Sequence, residues 1–154
     1  MRKLLGLFFV MLLFVGCERI EVYKKSQNGE PVEFKKGAVQ CVECTMPLTT
    51  KLHTAQAVMP DGKVYFFDDP GCMAKWYLKQ KSKNFKLWVY TDDTHRYIEA
   101  QKAWYRLGDK TPMNYGFGAY EKRPEGAVDF ETFVAMMARG ENLTNPALRK
   151  KYLK

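Results

Sequence analysis

The 154-residue chain has no apolar run long enough to cross a membrane. Its longest, Leu4 to Gly16, would reach about 20 Å as a helix at ~1.5 Å per residue, well short of a hydrocarbon core of roughly 30 Å. A permanent transmembrane anchor is not expected. The lysines are scattered, at 24, 25, 35, 36, 79, 81, 83, 86 and 149 to 151 with 154, and do not gather around stacking aromatics, which sets nucleic-acid binding aside. Histidine is scarce, with two in the chain. Neither directly follows a C-x-x-C pair, so a c-type haem attachment site is excluded. Cysteine is limited to four residues.

What is present begins with a charged start, Arg2 and Lys3, followed by the apolar run to Val15 and then Gly16 and Cys17. This is a secretory signal layout. The ending Leu13-Phe14-Val15-Gly16-Cys17 resembles a bacterial lipoprotein processing site, in which the cysteine becomes the lipidated first residue. The plainer alternative is an ordinary signal peptide and an incidental cysteine. The expectation is a signal peptide over 1–16, lipidation at Cys17, and a tether over 17–37 whose charges, Asn28-Gly29 and Pro31 suit little regular structure. Glu18 fits a lipid-anchored protein on the periplasmic face of a bacterial membrane, the outer rather than the inner. Cleavage would remove two positive charges from the net +8. The remaining basic surface suits an anionic membrane or an acidic partner, or is simply a solvated exterior.

With 46% hydrophobic and 14% aromatic residues, the remainder can bury the core of one domain, expected over 38–140, with a basic tail over 141–154. Thr54 to Met59 and Lys63 to Phe67 flank the turn Pro60-Asp61-Gly62 and read as a β-hairpin. Asp68-Asp69-Pro70 then supplies a helix start, with Met73, Trp76 and Tyr77 as its buried stripe. Lys86 to Tyr90 reads as strand, as do Tyr97 to Ala100 and Ala103 to Leu107, with a short helix at 101 to 107 as the alternative. The glycine-interrupted segment Thr111 to Tyr120 leads into another strand. Asp129 caps a helix carrying Phe130, Phe133, Val134 and Met137, with Gly140 beyond it. In the tail, Leu148, Tyr152 and Leu153 are candidates to dock on the core. The order strand, strand, helix appears twice, although no residue-level repeat accompanies it. The fold class is α+β.

Chemistry concentrates in Cys41-Val42-Glu43-Cys44-Thr45-Met46, three sulfur donors in six residues. Thiolate and thioether are soft ligands and favour a soft cation such as Cu(I). A thioredoxin-type redox pair needs a helix opening beside it, and here Pro47 follows Met46. A thiol-disulfide oxidoreductase using Cys41 and Cys44 stays open as a rival. So does a structural-zinc module built from Cys41, Cys44, Cys72 and a histidine. Met46 favours copper, because thioethers ligate zinc poorly. If Cys17 is lipidated, three thiols remain, so at least one stays free, is liganded, or pairs with another molecule. Cys72, near a helix start, reads as an auxiliary ligand or a small buried residue. His53 could complete a site, whereas His95 reads as exposed loop. Asp68, Asp69, Asp92 and Asp93 read as caps and turns.

These features together resemble the NosL family of copper lipoproteins, accessory proteins of nitrous oxide reductase. The resemblance rests on the signal ending at Cys17, the C-x-x-C-x-M motif at Cys41, Cys44 and Met46, and Phe66-Phe67-Asp68-Asp69. It continues with Val89-Tyr90-Thr91-Asp92, then Tyr97-Ile98-Glu99-Ala100 with Ala103 and Tyr105. It ends at Thr111-Pro112-Met113, with Gly116 and Gly118 before Ala119-Tyr120, and so runs over about residues 38–139. It implies a monomeric Cu(I)-binding protein, not an enzyme, that hands copper to the maturing reductase or to a membrane transport complex. It also implies one small domain of two ββαβ-like units, similar to the metal-binding part of organomercurial lyase. The ligands it implies are Cys44, Met46 and Met113; Cys41 stays open, binding in one state, pairing with Cys44 when metal is absent, or doing neither. Thr45 and Asn114 stand where that family often has glycine. One thiolate and two thioethers around Cu(I) would make a site of zero net charge, inexpensive to bury.

Overall fold

A computed structural model describes residues 25–153; the expected signal peptide, Cys17 and the first part of the tether lie outside the described residues. The strands are β1 (Ala55–Val58), β2 (Val64–Phe67), β3 (Lys86–Tyr90), β4 (Tyr97–Glu99), β5 (Trp104–Leu107) and β6 (Phe117–Tyr120). The helices are α1 (Pro70–Lys79), α2 (Phe130–Ala138) and α3 (Pro146–Tyr152), with a 3₁₀ turn at Ala100–Lys102. All strand pairing within the sheets is antiparallel, in a four-stranded sheet ordered β2-β1-β3-β4 and a two-stranded sheet β5-β6. No helix among the described residues is long and apolar enough to cross a membrane.

The hairpin forms where Pro60-Asp61-Gly62 reverses the chain, putting Ala55 opposite Phe67 and Val58 opposite Val64. Successive side chains of β2 point to opposite faces. Tyr65 and Phe67 therefore meet Trp76 of α1, with ring centroids 5.6 and 5.4 Å away. Phe66 points the other way and packs edge-on against Phe34 at 5.5 Å. That second face is covered by the segment expected to be a loose tether. It has little regular structure, yet Gln56, buried in β1, exchanges two 2.9 Å hydrogen bonds with the Val32 backbone. The Trp88 indole N–H donates to Gly29 O, also at 2.9 Å.

The smaller sheet closes on α2, where Tyr105 stacks on Phe133 at 4.1 Å and Phe117 meets the same ring edge-on at 4.8 Å. Tyr77 of α1 touches Phe130 of α2 at 5.3 Å, so one core is continuous beneath both sheets. The molecule is thus a small α+β domain. The first ββαβ run is present as β1-β2-α1-β3. The second stops at ββα, because α2 is followed by α3 rather than a strand. The tail is also more ordered than its basic composition implied. Asn145 caps α3 by accepting from the Ala147 N–H at 3.0 Å. Leu143, outside the expected set, is buried and packs on Gly116 so closely that a Cβ there would overlap it, whereas Leu148 is half-buried and Tyr152 and Leu153 are exposed.

Candidate metal centre

Three parts of the chain meet at the outer edge of β2. The loop 40–47 closes on itself through a bridge between Gln40 and Pro47. Within it, the Cys41 N–H donates to Met46 O and Cys41 O accepts from the Thr45 N–H, both at 2.9 Å. The loop is fastened to β2 by the Val42 N–H, which donates to Phe66 O at 2.9 Å. Asp68 leaves the end of β2, and Cys72 lies in the first turn of α1. That turn is fixed by Asp69, whose Oδ1 accepts the Gly71 N–H at 2.8 Å and whose carbonyl accepts the Cys72 N–H at 3.0 Å. The outcome is that the sulfurs of Cys41, Cys44 and Cys72 and a carboxylate oxygen of Asp68 lie within 4.8 Å of one another. Four such donors so close together can hold a metal ion. Cys41, Cys72 and Asp68 are buried, and only Cys44 is part-exposed.

The three thiols are not equivalent. A hydrogen bond from the Cys72 thiol is the main reason that Cys41 is held down at about 7, with the N–H groups of Cys44, Asp68 and Glu43 helping against burial. The same hydrogen bond, with burial, drives Cys72 well above its usual value. Burial chiefly pushes Cys44 up to about 12, and the Asp68 carboxylate, which accepts its S–H at 3.2 Å, adds to this. Near neutrality the pocket therefore carries its sulfur charge on Cys41. A cation that takes all three sulfurs must displace at least two protons, those of Cys44 and Cys72.

Around these donors stands a polar rim. Lys79 Nζ reaches Glu43 at 2.6 Å, and Lys75 Nζ lies between Glu43 at 3.7 Å and the Tyr115 hydroxyl at 3.2 Å. Tyr115 lies on Gly71, where any Cβ would overlap its ring. Asp69 Oδ2 accepts the Met113 N–H at 2.9 Å, and burial pushes this carboxyl up to about 6. The loop that carries Met113 is thus fastened to the start of the helix that carries Cys72.

Of the residues singled out in the sequence, Cys41, Cys44 and Cys72 come together. The Met46 residue is 52% exposed on the loop that holds Cys44. Met113 is partly buried against the core. His53 is not in the cluster: its Nδ1 faces Asp92 Oδ1 at 3.4 Å. β1 has β2 on one flank and β3 on the other, and the chain entering β1 leans toward β3, where the Tyr90 N–H donates to Thr54 O at 2.9 Å. Asp68 was missed, because the adjacent Asp69 supplies the helix cap for which both were read. No local pattern separates the two. Thr45 and Asn114, the positions expected to differ from glycine, both have left-handed backbones, with φ of 64° and 56°. No protein-family model matches this chain, and no curated protein is significantly similar to it.

Proposed function

We propose that the protein binds Cu(I) at Cys41, Cys44 and Cys72, with Asp68 at hand, and carries it for assembly of a copper enzyme. The observation that carries this reading is the convergence of three sulfurs and one carboxylate within 4.8 Å. Three thiols make a soft donor set. Their graded burial suits transfer rather than permanent storage: Cys41 and Cys72 hold the ion from inside, and Cys44, with Met46 beside it, faces a partner. Its role is binding and transfer, not catalysis. The resemblance to the NosL family extends the proposal to a monomer, lipid-anchored at Cys17 on the periplasmic face, with a fold akin to the metal-binding part of organomercurial lyase. Its acceptor would be the nitrous oxide reductase maturation machinery. That resemblance implies Met46 and Met113 as thioether ligands beside Cys44; we assign them instead to the steps in which the ion enters or leaves.

Cu(I) titration against a chromophoric chelator, under reducing anaerobic conditions, tests the site. Cys41→Ser, Cys44→Ser and Cys72→Ser should each weaken binding by about tenfold or more. Met46→Leu and Met113→Leu report separately on the thioethers. If all five variants stay within about threefold of wild type, under ~1 kcal/mol, the site is not where we place it. A second reading has its own support, since a carboxylate beside three thiolates also suits Zn(II). One equivalent of zinc that excess Cu(I) does not displace would favour it.

A further inference from the structure

Where the two sheets meet, the turn after β3 is fastened to β6. The Asp92 N–H donates to Ala119 O at 2.8 Å, and the Asp93 carboxylate accepts the N–H groups of Glu121 at 3.0 Å and Lys122 at 2.9 Å. Inside this junction His53 Nδ1 lies 3.4 Å from Asp92 Oδ1. Both atoms are buried, and neither has a hydrogen-bond partner among the described residues. Gly118 lets a second carboxylate approach, because a Cβ there would overlap the Asp109 carboxylate and lie 2.6 Å from Asp92 Oδ2. Asp109 is matched, accepting from Arg106 Nη2 at 2.5 Å and from the Tyr120 hydroxyl at 2.8 Å. Asp92 Oδ1 has no such match among the described residues. The groups that face it are Asp93 from its own turn, Asp109 and Arg106 beside it, Tyr120 from β6, and His53 from the turn before β1. The guanidinium is hydrogen-bonded to Asp109 and Tyr120, so among the described residues the buried Oδ1 of half-buried Asp92 has the His53 imidazole as its counterpart.

We propose that His53 and Asp92 bind one shared proton in this junction, and that this proton fastens the β5–β6 hairpin to the four-stranded sheet. With the proton present, it bridges Oδ1 and Nδ1 and satisfies two otherwise orphaned atoms. Without it, a half-buried negative charge faces Asp109. Burial, with Asp109 and Asp93, pushes the Asp92 carboxyl up to about 7, and burial holds the His53 imidazole below its usual value. The proton therefore rests on Asp92, with the imidazole as acceptor. A carboxyl raised by folding contributes stability that is present below its unfolded value and lost as pH rises through the folded one. His53 acts in the opposite sense, but only below about 6.5, where the unfolded imidazole takes a proton. The hairpin should therefore loosen as pH rises through neutrality. Its loop carries both Asp109 and Met113, so the change reaches the segment tied to α1. The inference does not depend on the metal reading.

The test is a carbon-13 NMR titration of the Asp92 carboxyl in the reduced, metal-free protein, paired with amide hydrogen exchange corrected for intrinsic pH effects. The expected midpoint is near 7, and β5–β6 amides should exchange faster relative to β1–β3 amides above it. Asp92→Asn, which cannot lose the proton, should abolish that pH dependence. An Asp92 midpoint near the ordinary ~4 overturns the proposal, as does an Asp92→Asn exchange profile that tracks wild type. Should that variant not fold, the wild-type titration decides alone.

Discussion

Asp69 and Met113 are joined by a 2.9 Å hydrogen bond from the Met113 N–H to Asp69 Oδ2, while Oδ1 of the same carboxylate accepts the Gly71 N–H at 2.8 Å. One buried side chain thus does two things. It caps the helix that presents Cys72, and it fixes the loop that presents Met113. Local helix chemistry and the long-range assembly of the site share a single residue.

Asp69→Ala removes both acceptors. Loss of the cap costs about 1 kcal/mol, and a Met113 N–H left unsatisfied adds ~1–3 kcal/mol. Urea denaturation of the reduced protein should show the sum, about 2–4 kcal/mol. Asp69→Asn keeps one acceptor and should lose roughly half as much. An alanine variant as stable as wild type would mean that the carboxylate fixes neither element.

Thr45 takes a left-handed φ of 64° between Cys44 and Met46, a conformation that a β-branched residue adopts at a cost of about 1–2 kcal/mol. Glycine adopts it freely but carries more entropy in the unfolded chain. Thr45→Gly should therefore raise stability by about 0.5–1 kcal/mol, read as an increase in thermal midpoint. Asn114→Gly is the control, because asparagine tolerates this region and little should change. Equal effects at both positions would remove the argument from strain.

The hairpin, α1, β3 and α2 were legible because each announces itself locally. Pro60-Asp61-Gly62 turns the chain, Pro70 and Asp69 open a helix, and Asp129 does cap its helix, accepting the Thr132 N–H at 2.8 Å. The covering of the sheet by residues 26–34 was not legible. It rests on Gln56 meeting the Val32 backbone and on Phe34 meeting Phe66, and neither leaves a periodic trace. The site divides in the same way. Cys41 and Cys44 stand out as a local motif, whereas Cys72 and Asp68 join them only through the parallel bridge of Cys41 to Phe66, a long-range pairing. Nearness in sequence suggested His53 as a ligand. It fails because the chain enters β1 on the side of β3, where the Tyr90 N–H donates to Thr54 O, and His53 meets Asp92 there rather than the β2 edge.

The reduced, metal-free protein should be least stable near neutral pH. Burial raises the Asp69 carboxyl to about 6, so its contribution is present below its unfolded value near 4 and is lost as pH climbs through 6. Cys41 has the opposite sign. Held at about 7 against an ordinary value of 9.0, its contribution is present above the ordinary value and lost as pH falls through 7. Thermal midpoints should fall along the acid limb and recover toward pH 9, and Cys41→Ser should flatten the alkaline limb alone. Midpoints that rise steadily from about pH 5 to 7 would contradict the assignment for Asp69.

Accessibility and charge sit on different sulfurs. Cys44 is part-exposed but held as a thiol, pushed up to about 12 mainly by burial and further by the Asp68 carboxylate that accepts its proton at 3.2 Å. Cys41 carries the charge but is 1% exposed. Alkylation needs a thiolate that the reagent can reach, so iodoacetamide near pH 7.5 should modify the folded, metal-free protein about tenfold or more slowly than the unfolded chain. Asp68→Asn exchanges the anionic acceptor for a neutral amide and lets Cys44 ionise more readily. Peptide mass spectrometry should then find Cys44 modified about threefold faster or more, with Cys41 and Cys72 still protected. A Cys44 rate unchanged by that substitution would mean that Asp68 does not hold the thiol proton, and that burial and the neighbouring Cys41 keep Cys44 unreactive.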